Sequence, residues 1–477
     1  MQKKFISNLV LIVVLNLLVK PLAIFGIDAT VQNRVGAEEY GMYFSILNFT
    51  YLFNILADLG INNFTTKNIA QYPHIASRYI GKIFSFRLIL FAFYTIVTLS
   101  IGIGIGYRGN QLNTLYILIF NQLLITFIAY FRSHFGGLHL FKTDAVLSVL
   151  DRLLLIIICG SVLISTTTGQ NFKIEWFIWI QTICYGLTFI VAFTLLIQRI
   201  GIPKFKFNWV FSLAILRQSY PYALMILLMM IYTRTDSVML ERIHPNGKFE
   251  AGVYAQGFRL FDAFFMFGMI FTNLLFPVFS RLLKTKRETV LILIKTSRNL
   301  LVGGTILLAF ICFQNAEFIL NLIYKNNVNE SILSFQWLMW SFIGVCLSFI
   351  YGTLLTANGN MKFMNQLSIV GIVLNIVLNA LLIPKYGAAG SAFATLVTQS
   401  FTALIQMAFC HQLFSIKISI PQILNYGGFL LLMVLIPFIS TNHLVLFLAQ
   451  IILGIIGLLI FKFIDIKALK IAFKENL

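Results

Sequence analysis

The amino-acid sequence predicts an all-α integral membrane protein of about fourteen transmembrane helices, built as two parallel six-helix lobes with two further helices at the carboxyl end. Three observations predict it. Only 11% of the 477 residues are charged and 59% are hydrophobic, whereas a soluble domain carries roughly 25% charged residues. Apolar runs of about 20 residues, enough to cross the hydrocarbon core as helices, follow one another along almost the whole chain. Residues 36 to 43 also return in outline at 247 to 254, so that Gly36/Gly247, Glu39/Glu250, Gly41/Gly252 and Tyr43/Tyr254 share one offset of 211. Arg87 and Arg298, each opening a hydrophobic segment, share it too. Internal repeats of this kind are what secondary transporters are built from.

The first span, near 7–27, follows Lys3 and Lys4 and lacks an Ala-x-Ala cleavage pattern, so it is expected to remain as a helix. The first lobe continues with spans near 40–63, 84–106, 113–135, 143–166 and 174–198. The second lobe has spans near 217–241, 252–279, 299–323, 333–357, 363–383 and 388–411. The remaining two lie near 424–440 and 444–464, after the Ile416–Pro421 connection. Phe, Ile and Leu fill these runs without the short alternation of a β-barrel strand.

With the amino terminus in the cytoplasm, Lys and Arg crowd the inner connections and are sparse in the outer ones. The positive-inside rule then places both termini inside. The net charge of +19 is accounted for by this topology and by contact with anionic lipid, and no soluble basic domain is present to meet a nucleic acid. Spans 1 and 7 both start inside, so the two copies are parallel. The expected domains are 1–200, 201–415, and 416–477 with a cytoplasmic tail. Cys159, Cys184, Cys312, Cys346 and Cys410 all fall inside spans and read as small core hydrophobes. The outer connections, near 28–39, 166–173, 242–251 and 324–332, are on the order of ten residues long. They leave no room for a catalytic domain, and no metal, cofactor or nucleotide motif is visible. A transporter is expected in place of an enzyme.

Charged groups inside spans cost at least about 2.5 to 3.5 kcal/mol each, so they face a wet cavity or a partner. Lys20 precedes Pro21, which can bend the first helix. The 211 offset sets Lys20 opposite Ile231, one turn from Arg234. Arg259 and Asp262 stand three apart on one helix face. Asp236 is two residues from Arg234 and faces another way, toward Lys20 or Arg259. Span 5 brings Asp144, Asp151 and Arg152, and span 2 brings Asp58. Asp58 and Asp144 read as neutralising partners near the surface, while Arg234 and Arg259, with Lys20 and Arg152, read as cavity cations. Asn48, Tyr51, Asn54, Tyr232 and Gln256 add hydrogen-bonding surface. Such a cavity suits a pyrophosphate-linked sugar: cations hold the phosphate oxygens, while amides and phenols accept many hydroxyls. Asp151, Asp236 and Asp262 are candidate H⁺ or Na⁺ carriers. Moving an anion outward is also electrically downhill by about 2.3 kcal/mol per charge per 100 mV. Gly36, Gly41, Gly247 and Gly252 are candidate gate and hinge positions.

Three stretches together resemble the O-antigen type polysaccharide flippases of the multidrug/oligosaccharidyl-lipid/polysaccharide exporter superfamily. They are Arg34–Gly41 with Asp58-Leu59-Gly60-Ile61, then Asn358-Gly359-Asn360 with Lys362, and finally Asn375 and Asn379 followed by Leu382–Ala392. The resemblance implies two lobes in a V around a central cationic cavity. It also implies an undecaprenyl-pyrophosphate-linked oligosaccharide as cargo, a bacterial cytoplasmic membrane as site, and polysaccharide-assembly proteins as partners. Lipid II flippases are similar in carrying cavity cations on the first and eighth helices, where Lys20 and Arg259 lie. The Arg-Asp pair expected on the first helix is replaced here by Lys20 alone, which favours lipid-linked oligosaccharide over lipid II. A cation-coupled multidrug exporter of the same superfamily would call for an acidic cavity. A membrane glycan polymerase or glycosyltransferase would draw on Glu38, Glu39, Glu250 and His244. Glu39 and Glu250 recur at equivalent places, however, and read as caps of helices 2 and 8.

Overall fold

The computed structural model describes residues 15–16, 18–72, 74, 76–165, 171–201, 207–285, 287–416, 420–439 and 443–463. The start of the first span, the Lys3-Lys4 pair, part of the 166–173 connection, part of the Ile416–Pro421 connection and the carboxyl-terminal tail lie outside them. Every regular element among the described residues is helical, and nine helices are long and apolar enough to cross a membrane. Packing divides the chain into two compact units, Met1–Gly252 and Val253–Leu477.

In the first unit, Pro21 is followed by a π-helical turn over Ala23–Asp28, which continues as α1 (Ala29–Val35). A proline deprives the helix of one N–H, and a widened turn is one of the ways in which the backbone absorbs that loss. The chain then breaks at Gly36, whose φ of 85° is the left-handed region that glycine enters without a Cβ clash. It resumes as α2 (Ala37–Phe53).

Span 2 is not the single helix expected. It divides into α2, the short α3 (Ile55–Asp58) and α4 (Ile61–Gln71); Asn54 at the first junction keeps a right-handed backbone, and the sharp break is the second, where Leu59 and Gly60 both turn left-handed. The break frees the Asp58 carboxylate, whose Oδ1 accepts from the Asn62 amide at 3.3 Å and from Arg87 at 2.9 Å. The helices α5 (Ala76–Gly104) and α6 (Asn110–Gly137) are continuous. Span 5 divides into α7 (Phe141–Leu147) and α8 (Leu150–Ile164), with Val149 leaving the helical region (φ −129°, ψ −5°). Then come α9 (Ile174–Ile200) and α10 (Trp209–Ile243). Phe86, Leu90, Phe127, Phe131, Phe135 and Leu196 form the core shared by α5, α6 and α9. Isoleucines and leucines such as Ile157 and Leu187 stay exposed on the outer faces, as suits a bundle whose solvent is lipid.

The repeat has a direct structural counterpart. Where α2 meets the start of α11 (Gly247–Thr285), a Cβ on Gly41 would strike the Lys248 carbonyl oxygen, and a Cβ on Gly252 would strike that of Ala37. Ala37 and Lys248 are themselves 211 apart, so the two contacts are one contact seen twice about a local twofold. Packing therefore divides the chain one helix later than the repeat does: α10, counted by repeat with the second lobe, packs on α2.

The second unit holds the rest of α11, α12 (Arg287–Gln314), α13 (Ala316–Ile323) and α14 (Val328–Ala357). Asn360 donates its N–H to the Leu355 carbonyl at 2.9 Å, with Gly359 at φ 87°, which closes the helix end in a Schellman turn. Spans 11 and 12 form one run, α15 (Met361–Phe414), interrupted only at Gly387 (φ 49°, ψ −129°). There the chain folds back, and the Ser391 hydroxyl donates to Asn379 Oδ1 at 2.7 Å. The Asn379 and Gly387 positions of the third motif thus build a turn. The appended pair, α16 (Ile420–Leu435) and α17 (His443–Ile460), packs through Phe429, Met433 and Leu458 on Val302, Ile306 and Phe310 of α12.

Candidate functional site

Half-buried charges of the first unit gather around Lys20, on α6, α7 and α8. Asn16, one turn before Lys20, donates to the Ser148 hydroxyl at 3.0 Å. Ser148 sits at the break between α7 and α8, so the first helix is tied to the point where the chain changes direction. The break starts α8 afresh with Asp151 and Arg152 in its first turn, and Arg152 Nε lies 3.5 Å from Asp151 Oδ2. Arg132 of α6 reaches Asp144 Oδ1 from Nε at 2.7 Å. Arg152, Arg132 and Asp151 are charged groups close to Lys20, and Tyr185, Asp151, Tyr51 and Asp28 lie close to Arg152. The Tyr51 ring also lies 5.7 Å from the Arg234 guanidinium, whose Nη1 donates to Asn48 Oδ1 at 3.2 Å.

Tyr51 therefore joins Arg234 to a group containing Lys20, Arg132 and Arg152, with Asp28, Asp144 and Asp151 as the acidic members. Cations outnumber carboxylates, and Lys20 bears the repulsion of two arginines. An anion placed among them would relieve that repulsion. Arg132 and Arg152 remain 31% and 30% exposed, which leaves guanidinium edges for it to reach.

The sequence expectations divide accordingly. Lys20, Arg152 and Asp151 come together, and Arg234 joins them through an aromatic ring. Asp236 is buried on α10 beside Ser237, whose carbonyl accepts from the Ser45 hydroxyl at 3.1 Å. Arg259 and Asp262 are half-buried on α11 in the second unit. Asp58 and Asp144 are neutralising partners, of Arg87 and Arg132 respectively. The sequence reading passed over Arg132, which lies inside its own span, and Asp28, which a span ending at residue 27 left in a loop. Both were visible as charges near apolar runs. Of the four candidate gate glycines, Gly36 separates α1 from α2, Gly247 is the first residue of α11, and Gly41 and Gly252 share one helix crossing. Gly36 requires positive φ, whereas at Gly247 a side chain would meet the Leu240 and Glu241 carbonyls. Glu38, Glu39 and Glu250 stand in the first turns of α2 and α11, where a carboxylate complements the helix dipole. The five cysteines are buried and unpaired.

The helices define the class of multi-pass α-helical membrane proteins, and the solved structures agree on the fold. The chain is similar to a lipid II flippase, MurJ, in an inward closed conformation, with a TM-score of 0.70 and 15% identity over 98% of this chain and 99% of that one. It is similar to an inward-facing multidrug resistance MATE transporter of the MOP superfamily, with a TM-score of 0.64 and 17% identity over 84% and 94%. A MOP superfamily transporter from Pyrococcus furiosus, described as having a binding pocket of reversed polarity, matches with a TM-score of 0.55 and 14% identity over 86% and 94%.

Residues 5–283, more than half of the chain, match the profile of the polysaccharide biosynthesis protein family, and the chain belongs to that family. An uncharacterized membrane protein of Methanocaldococcus jannaschii is 28% identical over 198 residues, 41% of this chain. That match spans 45% of the relative's own length.

Proposed function

We propose that the protein is a flippase that carries an undecaprenyl-pyrophosphate-linked oligosaccharide from the inner to the outer leaflet of a bacterial cytoplasmic membrane by alternating access. Both termini would be cytoplasmic, and the product would feed surface polysaccharide assembly of the O-antigen or capsule kind. The observation that carries this reading is the excess of cations in the group formed by Lys20, Arg132, Arg152 and Arg234. Guanidinium groups bind pyrophosphate oxygens through paired charge-assisted hydrogen bonds. Asn48, Tyr51 and Tyr185 would meet sugar hydroxyls, and the polyprenyl tail would remain in lipid.

In this reading the lobes are 1–200 and 201–415, with 416–477 as an addition. Arg259 of the second lobe would be a further cavity cation. Gly36, Gly41, Gly247 and Gly252 would be the gate and hinge positions, and Asp151, Asp236 or Asp262 would carry a coupling H⁺ or Na⁺. The test is the leaflet occupied by lipid-linked oligosaccharide in cells lacking the protein. Accumulation in the inner leaflet, rescued by the wild type but not by Arg152→Gln or Arg234→Ala at equal protein level, is expected. Normal glycan together with lost tolerance to cationic drugs would replace the reading with that of a multidrug exporter.

A further inference from the structure

The repeat pairs Arg87 with Arg298, and the two arginines differ in their counter-charge. Arg87 is fully buried and ion-paired: its Nη2 donates to Asp58 at 2.9 Å and its Nη1 to Asn62 Oδ1 at 2.6 Å, the Tyr130 ring lies 4.9 Å from its guanidinium carbon, and its Nε has no acceptor. In the second unit the residue 211 beyond Asp58 is Met269, so the carboxylate is missing from the repeat. The residue 211 beyond Tyr130 is Ser341, and Arg298 has a different aromatic partner: its Nη1 donates to the Tyr351 hydroxyl at 3.4 Å, at the long end of hydrogen-bond distance. Tyr351 in turn lies 3.3 Å from His411 Nε2. Arg298 Nε, like Arg87 Nε, is buried without an acceptor. The other groups facing it are neutral: the Tyr426 hydroxyl of α16, held at 3.4 Å from Asn299 Oδ1, and Gln422, which donates to the same oxygen at 2.9 Å. No carboxylate lies within ion-pair distance of Arg298 among the described residues. Exposed Lys295, three residues earlier and so on the same helix face, adds a second positive charge.

A half-buried guanidinium without a counter-charge is costly in a bundle set in lipid. By the topology of the spans these side chains lie toward the cytoplasmic ends of α12, α14, α15 and α16, at the depth of the inner-leaflet headgroups. We propose that Arg298, with Tyr351, Tyr426 and His411 around it and Lys295 at the rim, forms a phosphate-ester site that takes the headgroup phosphate of an inner-leaflet lipid. The bound phosphate supplies the charge that Asp58 supplies in the first repeat, and it ties α16 to α12 and α14. This assignment does not depend on the cargo.

The test is native mass spectrometry of the delipidated full chain titrated with dimyristoyl phosphatidylglycerol, alongside Arg298→Gln and Tyr426→Phe. One lipid bound about tenfold more weakly in Arg298→Gln, the scale of one lost charge-assisted hydrogen bond, with a smaller loss in Tyr426→Phe, is expected. Thermal unfolding of the wild type with inorganic phosphate separates the sources. A stabilisation by phosphate that phosphatidylglycerol does not add to assigns a free phosphate in place of the lipid headgroup and overturns the lipid assignment. Equal lipid binding by the wild type and Tyr426→Phe, together with equal binding by Arg298→Gln or failure of that variant to fold, overturns the site.

Discussion

Gly41 and Gly252 each lie against the backbone of the other's helix, with the Lys248 carbonyl over one and the Ala37 carbonyl over the other. Because both pairs keep the 211 offset, the crossing of α2 and the start of α11 is a self-complementary contact, and small residues at such a crossing let two backbones approach. Gly41→Ala and Gly252→Ala are each expected to destabilise the folded protein by about 1–3 kcal/mol through overpacking. Gly104→Ala, on α5 where a Cβ meets nothing within 4 Å, should leave thermal unfolding in detergent unchanged or slightly raised. Equal midpoints for all three variants would remove the close crossing.

The Arg87 and Asp58 pair yields a second expectation. Arg87 is fully buried, so Arg87→Gln strands a carboxylate and Asp58→Asn strands a guanidinium, each at about 3–5 kcal/mol. The double variant removes both charges and should recover much of that loss. Thermal unfolding of the four proteins in a double-mutant cycle measures the coupling, and simple additivity would mean that the 2.9 Å contact contributes little.

How much of this was readable in advance depended on the kind of signal. The spans followed from apolar length, and the repeat followed from Gly36, Gly41, Gly247 and Gly252, because lipid and close backbone contact act on composition directly. The breaks in spans 2 and 5 did not follow: Leu59 and Val149 are ordinary apolar residues, and only packing selects their non-helical backbone. Lys20, Arg152 and Arg234 were legible as charges in oil. The part played by Tyr51 in joining them was not, since it depends on the rotation of α2 against α10. Arg132 was legible in principle, and its proximity to the end of a span concealed it.

Gly387 marks the turn between the halves of α15, and its φ of 49° with ψ of −129° is a conformation that residues bearing a Cβ enter only under strain. Gly387→Ala is expected to cost about 1–3 kcal/mol. Asn379→Ala, which leaves the Ser391 hydroxyl without its acceptor, should cost a similar amount. Protease resistance of the membrane-embedded protein on heating reads both. A wild-type profile for Gly387→Ala would show that the turn forms without this backbone angle.

Within the cation group the signs of two neighbouring substitutions should be opposite. Arg132 is held by Asp144 at 2.7 Å, so in the proposed flippase cycle the carboxylate competes with the incoming pyrophosphate for one guanidinium. Arg132→Gln removes a charge-assisted donor worth about 1.5–3 kcal/mol, which lowers the affinity for an anionic lipid about tenfold or more. Asp144→Asn leaves Arg132 uncompensated and raises the net positive charge of the group, so it should bind the same lipid more tightly. Because tighter binding to the waiting state slows release, Asp144→Asn should also transport more slowly. Binding of a fluorescent polyprenyl pyrophosphate to the protein in nanodiscs measures both variants. Weaker binding in Asp144→Asn at intact fold would mean that the carboxylate positions Arg132 for the ligand, and the competition model would be discarded.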